Sequence, residues 1–274
     1  MAALSCRNDA LVIELNARGY NPILMPRTGA VPPEIYLYDI DTQSLTRWGR
    51  LGACVPPGAL PSTLNEGELP DLQHRATSKK GASAGGSFLK NGLACIGIDA
   101  APKLDLSFAQ GHDLTFSFTG TTFRGLDPAD IGAAVAQFNP GAIPASQVAA
   151  GMVHIAYEYA YATSLLLSTA DTVSAGIDFK ALKIDHFIDL GGKATVAAVD
   201  KTTLSFTGHG APAAFACKVG RLEKRGKRWD FYAIEVLGQG LTADEGGVDQ
   251  PYLLYRGAVL QVTDLMKDVP SGDS

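Results

Sequence analysis

Hydrophobic and polar positions change rhythm several times along the chain, and each change predicts a different kind of element. From Cys6 to Ala17, Leu11 and Leu15 stand four apart between Ser5, a capping residue, and Gly19, a stop. A short N-terminal helix is predicted. Residues 20 to 75 carry eight prolines around short apolar runs such as IYLYDI, the pattern of strand pieces and loops. KLDLSFA and HDLTFSFTG then alternate strictly. Leu104, Leu106 and Phe108, and again Leu114, Phe116 and Phe118, share one face of two strands that meet near Gly111.

From Pro128 to Ala170 the rhythm becomes helical. Asp127 caps PADIGAAVAQF, and after Pro144 the stretch ASQVAAGMVHIAYEYAYATSLLLSTA predicts a second helix. Glu158 is its one formal charge. Gln147, His154, Glu158 and several Ser and Thr interrupt it too often for a membrane span, so a buried soluble helix is the better reading. Strands resume with Leu182, Ile184 and Ile188 opposite Lys183, Asp185 and Asp189, then ATVAAVD and TLSFTG after the Gly191-Gly192 turn. Residues 213 to 220 and 229 to 237 pair around RLEKRGKR. Residues 238 to 250, GQGLTADEGGVDQ, read as an exposed linker. PYLLYRGAVLQVTDLMKDV then sets Leu254, Ala258, Val262, Leu265 and Val269 at helical spacing, an amphipathic helix too short to stand alone. The fold class expected is α+β: a twisted, mostly antiparallel sheet with hairpins, an N-terminal helix, a helical middle region and a short C-terminal helix.

Composition narrows the function classes. The chain has 274 residues, of which 46% are hydrophobic and 19% charged, with 30 Gly and a mean hydropathy of +0.07. General disorder is excluded, and turns and short strands are favoured. The net charge of −5 offers no general attraction to nucleic acid. Its distribution matters more. Residues 1 to 240 hold 21 Lys or Arg against 22 Asp or Glu, whereas residues 241 to 274 hold two against six. Within the body, Lys218, Arg221, Lys224, Arg225, Lys227 and Arg228 stand against Glu223, a local charge of +5. A solvated hairpin tip is one reading and a contact with anionic lipid the other, at about 1 kcal/mol per basic residue near a charged surface. Cys6, Cys54, Cys95 and Cys217 lie far apart without metal spacing, as reduced thiols in a cytosolic protein do. Asp9 and Glu14 exclude a secretory leader, and Ala2 stands where myristoylation needs glycine.

No constellation supports catalysis. Gly81-Ala82-Ser83-Ala84-Gly85 matches the nucleophile-elbow pattern, but Lys79 and Lys80 replace the buried strand before it and no helical pattern follows. His154 and Glu158 supply two metal ligands where a site needs three or four. Asp185-His186 has no partner nucleophile in the sequence. Gly191-Gly192-Lys193 lacks the spacing of a phosphate loop.

The opening stretch, Cys6 followed by a short helix and then ARGYNPILMPRTGAVPP, resembles the start of the bacterial gasdermins, and the order of elements matches over nearly the whole chain. The resemblance implies a pore-forming cell-death effector and not an enzyme. It implies a pore-forming body at 1–237, a protease-sensitive linker at 238–250 and an inhibitory segment at 251–274. A protease would cut near Leu241, Asp244, Glu245 or Arg256 and release the inhibitory helix of Leu254, Ala258, Val262 and Leu265. The body, a cytoplasmic monomer until then, would oligomerise and insert hairpins in the cell's inner membrane, limiting phage spread. Partners would be the activating protease and anionic membrane lipids, with no nucleic acid. No cofactor is implied beyond a covalent palmitoyl group on Cys6, held in a groove before activation.

The residues agree with parts of this. Cys6, in the first turn of its helix beside Arg7, is placed for a stabilised thiolate. One long acyl chain contributes on the order of 10 kcal/mol of apolar burial. The regions 78–118 and 181–208 could supply four tilted strands of about 9 to 11 residues each. The alternative is a soluble α+β protein that binds an apolar ligand or peptide, with the C-terminal helix as its last core element.

Overall fold

The computed structural model describes residues 15, 17–39, 44–76, 114–141, 143–149, 152–169, 187–188, 195–199, 203–207 and 211–233. Most of the N-terminal helix, the strand KLDLSFA, the Ser83 loop, the linker and the C-terminal helix lie outside them. So do Cys6, Leu241, Asp244, Glu245, Leu254, Arg256, Ala258, Val262 and Leu265.

The central element is β8 (Val153–Ala162), which pairs along one edge with β13 (Ala213–Arg225). Its other edge is shared. β2 (Glu34–Asp39) takes the first half and β7 (Thr122–Gly125) the second. β3 (Ser44–Arg50) extends β2, β4 (Asn65–Glu68) extends β7, and β1 (Asn21–Arg27) and β14 (Arg228–Ala233) divide the outer edge of β13. All pairings in this eight-stranded sheet are antiparallel. The second sheet runs in the order β10 (Phe187–Ile188), β11 (Thr195–Ala198), β12 (Thr203–Thr207), β9 (Ser164–Thr169), β6 (Leu114–Thr119) and β5 (Leu72–Ala76). The chain passes between sheets at a tight corner. There Gly120, at φ +60°, lies against Thr163, whose N–H and hydroxyl both donate to the Thr119 carbonyl.

The helical middle region is only half correct. Asp127 caps α1 (Pro128–Val135), its carboxylate accepting from the Ala129 N–H at 2.7 Å with Pro128 in the first turn, and α2 (Ala145–Ala149) follows. The stretch from Val153 to Thr169, expected to be helix, is instead the β8–β9 strand pair. Two features hid it. β8 is covered on both faces, so its buried run reads as continuous rather than alternating. A bulge at Tyr157 then resets the alternation: Lys218 pairs with Glu158 while the next residue, Val219, pairs with Ala156. Val153, Ile155 and Tyr157 thus meet α1 through Ile131 and Val135, while Ala156, Tyr159 and Tyr161 pack with Ile23, Tyr36 and Ala214. Three tyrosines and two β-branched residues were the signal for strand.

One charge sits inside this second cluster. Glu34 is 1% exposed, and its carboxylate accepts from Arg47 Nε and from the Tyr159 hydroxyl, each at 2.7 Å. Tyr36 and Tyr159 hydroxyls lie 2.7 Å apart. Burial, then the neighbouring Tyr36 and Glu34, pushes the Tyr159 hydroxyl far up, so it stays a donor.

The β13–β14 hairpin turns through Gly226 and Lys227, with Gly226 at φ +63° as a primed two-residue turn requires. Lower in the hairpin, a Cβ on Gly220 would overlap the Phe231 ring and come within 2.6 Å of the Tyr232 carbonyl oxygen. Gly220→Ala is therefore expected to destabilise by about 1–3 kcal/mol. A thermal unfolding midpoint equal to the parent's would contradict this contact.

Candidate functional site

Two features of the surface bear on function: a cavity where the N-terminal helix meets the sheet, and the basic hairpin. The helix ends as its sequence prescribes. Gly19 takes φ +80°, and the Tyr20 N–H reaches back five residues to the Leu15 carbonyl at 2.9 Å, the bond of a glycine-terminated helix. That stop delivers Leu15 and Tyr20 to the wall of an open cavity of about 300 Å³, completed by Leu69, Phe123, Ala160 and Phe215. The lining is mostly apolar, with one polar corner. Glu158 on β8 accepts from the Tyr20 hydroxyl at 2.5 Å and from Lys218 Nζ at 2.8 Å, and Lys218 lies 4.8 Å from the centre of the Tyr20 ring. Burial, and then the bond to Glu158, pushes the Tyr20 pKa well above its ordinary value. The helix end is thus fastened to both central strands. Sequence reasoning missed this cluster, because Tyr20 and Glu158 are 138 positions apart.

The six basic residues separate into two groups. Lys218 belongs to the cavity corner, and Arg221 bonds Glu223. Lys224, Arg225, Lys227 and Arg228 are exposed around the turn. Their counter-charge is greater than the local sequence indicates. Asp230 on β14 stands 3.1 Å from Arg228 and 3.9 Å from Arg225, and Glu223 lies 3.7 Å from Arg225.

His154 and Glu158 share a strand, not a helix, and have different neighbours. His154 is fully buried, with Nδ1 3.3 Å from the Met152 carbonyl and its ring edge-on to Tyr38. Among the described residues, no group of three His, Cys, Asp or Glu could hold a metal. Burial first, and the Arg221 charge after it, lowers the His154 pKa to about 4. The unfolded chain takes this proton near pH 6.5, while the folded chain refuses it until about pH 4. His154 therefore contributes stability that is present in full above pH 6.5 and falls as the pH drops toward 4, by on the order of 3 kcal/mol. Urea unfolding at pH 7 and pH 5 checks this: His154→Phe should flatten the pH dependence, and an unchanged slope would contradict it. Burial also raises the thiol pKa of Cys54 and, much further, of Cys217, so neither is a ready nucleophile at neutral pH.

Comparison with known proteins gives these features a context. Residues 23–229 match the model of the Bacterial Gasdermin Family. Gasdermin bGSDM of Piscinibacter sakaiensis is 55% identical over 266 residues, 97% of this chain and 99% of that protein. The structure of a bacterial gasdermin from Bradyrhizobium tropiciagri aligns with 82% of this chain and 92% of its own, at 13% identity and a TM-score of 0.43, a likeness on which nothing further rests. The family match covers both sheets, the cavity walls on β8 and β13 and most of the basic hairpin, and the chain belongs to the bacterial gasdermin family of pore-forming effectors.

Proposed function

We propose that this protein is held inactive by residues 251–274 and released by a protease that cuts between Leu241 and Arg256. Residues 1–237 then assemble into a pore in the cell's own inner membrane, ending an infected cell before phage can spread. The observation that carries this reading is the 55% identity to a bacterial gasdermin over nearly the full length. The fold supports it. The two regions that alternate cleanly in sequence contribute β6 and β10–β12 to one six-stranded sheet, with β9 between them. A rearrangement of that sheet can leave the α1-packed core in place. Closing its strands into a barrel satisfies every backbone group inside a bilayer. Val199, at the β11–β12 turn, is 56% exposed, an apolar residue at a tip that would enter lipid first.

The cavity beside Leu15 and Phe215 supports acylation at Cys6. It opens where the predicted N-terminal helix ends, nine residues after Cys6, and its apolar walls suit a palmitoyl chain. The exposed tip of the basic hairpin supports a contact with anionic headgroups. A freely bound apolar ligand would use the same cavity, but family membership favours the tethered chain.

The test is made in cells. A recognition sequence for a specific protease is placed within residues 242–250, and protease and protein are induced together. Uptake of a membrane-impermeant dye and loss of colonies are expected only when both are present, with a weaker response from Cys6→Ala. Intact-mass measurement should find the acyl adduct at Cys6. Continued growth with complete cleavage would overturn the pore reading, and an adduct on Cys54, Cys95 or Cys217 would overturn the Cys6 assignment.

A further inference from the structure

Two corners of the eight-stranded sheet carry opposite charge. At one, an open groove of about 740 Å³ lies between α2 and the β13–β14 hairpin, with Ile143, Val148 and Trp229 as its apolar floor and Lys224 on the hairpin side. Phe138 braces Trp229 edge-on at 5.2 Å, and Lys224 Nζ lies 5.7 Å from the centre of the indole ring. Residues 221–230 hold five basic residues against Glu223 and Asp230, so the rim is cationic. At the diagonally opposite corner, around β4, residues 61–71 contain three acids and no Lys or Arg. Glu66, Glu68 and Asp71 are exposed, as are Pro61 and Pro70, and Leu64 and Leu69 are half-buried. Arg124 of β7 stands 3.3 Å from Glu66, which leaves Glu68 and Asp71 as the excess.

We infer that the groove of one copy receives the β4 corner of a second copy, an inference that rests on the proposed assembly and names the surfaces through which it proceeds. Among the described residues, β4 pairs only with β7 and β14 only with β13, so both corners are sheet edges. β7, β8 and β13 stand between them, about 19 Å at ~4.8 Å per strand, and the corners cannot meet within one chain. Charge complementarity selects the occupant. Glu68 and Asp71 meet Lys224 and Arg228, while Leu69 and the two prolines offer apolar surface to the groove floor. Groove against groove, or corner against corner, would set like charges together, so a symmetric pair is disfavoured. The contact is heterologous: each copy gives its β4 corner to one neighbour and its groove to the other, the arrangement that builds a ring.

Charge reversal tests this on the full chain cut within residues 242–250 at the engineered protease site. Glu66→Lys/Glu68→Lys should slow dye release from phosphatidylglycerol-containing vesicles by about tenfold or more, because it sets like charges against the neighbour's rim. Attraction to anionic lipid has the opposite sign, since this variant is more cationic than the parent. Combined with Lys224→Glu/Arg228→Glu, it should release dye faster than either pair of reversals alone, a coupling that additive effects on lipid binding do not produce. Independently, p-benzoylphenylalanine in place of Asn65, irradiated on vesicles in a mixture of isotope-labelled and unlabelled cut chains, should cross-link to residues 141–149 or 221–229 of another copy. Release from Glu66→Lys/Glu68→Lys at or above the parent rate, or cross-links from position 65 confined to its own chain, would overturn the contact while leakage by the cut parent left the pore reading standing. Cross-links between copies with vesicles that the cut parent leaves sealed would support the contact and overturn the pore reading.

Discussion

Glu34→Ala is expected to cost about 3–5 kcal/mol of folding stability, because it removes a carboxylate that is sealed from solvent and holds both a guanidinium and a buried hydroxyl. The carboxylate is nearly sealed from solvent at 1% exposure, and it accepts from Arg47 and Tyr159 at 2.7 Å each. Without it, the Tyr159 hydroxyl keeps only the Tyr36 hydroxyl, and Arg47, whose side chain is 14% exposed, loses its 2.7 Å counter-ion. Tyr159→Phe should cost less, about 1–2 kcal/mol, since it removes a neutral donor from a network that keeps its charge pair. Denaturant midpoints order the variants: Glu34→Ala well below Tyr159→Phe, which lies below wild type. Equal midpoints for Glu34→Ala and wild type would mean that this polar cluster does not hold β2 against β8.

The same network shows what could be read in the sequence and what could not. Local chemistry was legible: Asp127 before Pro128 announced α1, Gly19 announced the helix stop, and the alternation of TLSFT announced β12. Each of those signals is complete within a few residues. β8 was not legible as a strand, since burial on both faces removed its alternation and the Tyr157 bulge broke what remained. Glu34 and Tyr36 meet Tyr159, and Tyr20 meets Glu158, only across more than a hundred positions, and Lys218 joins Glu158 through the β8–β13 pairing. Sequence showed a basic cluster at 218–228, but it took the hairpin register to show Lys218 turned to the cavity and Asp230 moderating the tip.

Cutting the linker is expected to have the largest effect on activity. Residues 241–274 hold two basic residues against six acids, so their departure leaves a nearly neutral body with an exposed cationic tip. Each exposed basic residue then gains about 1 kcal/mol near an anionic bilayer. If the tail restrains the body as proposed, release of Leu254, Ala258, Val262 and Leu265, at about 1 kcal/mol each for partial burial, would remove a further bias of roughly 4 kcal/mol, on the order of a thousandfold in population. Dye release from phosphatidylglycerol-containing vesicles, measured for the intact chain and for the chain cut within residues 242–250, therefore tests the central claim most directly. The intact protein should leave the vesicles sealed and the cut protein should empty them, with slower release as salt rises. Sealed vesicles with fully cut protein at every lipid composition, or equal leakage from both forms, would contradict an effector restrained by its own C-terminal segment.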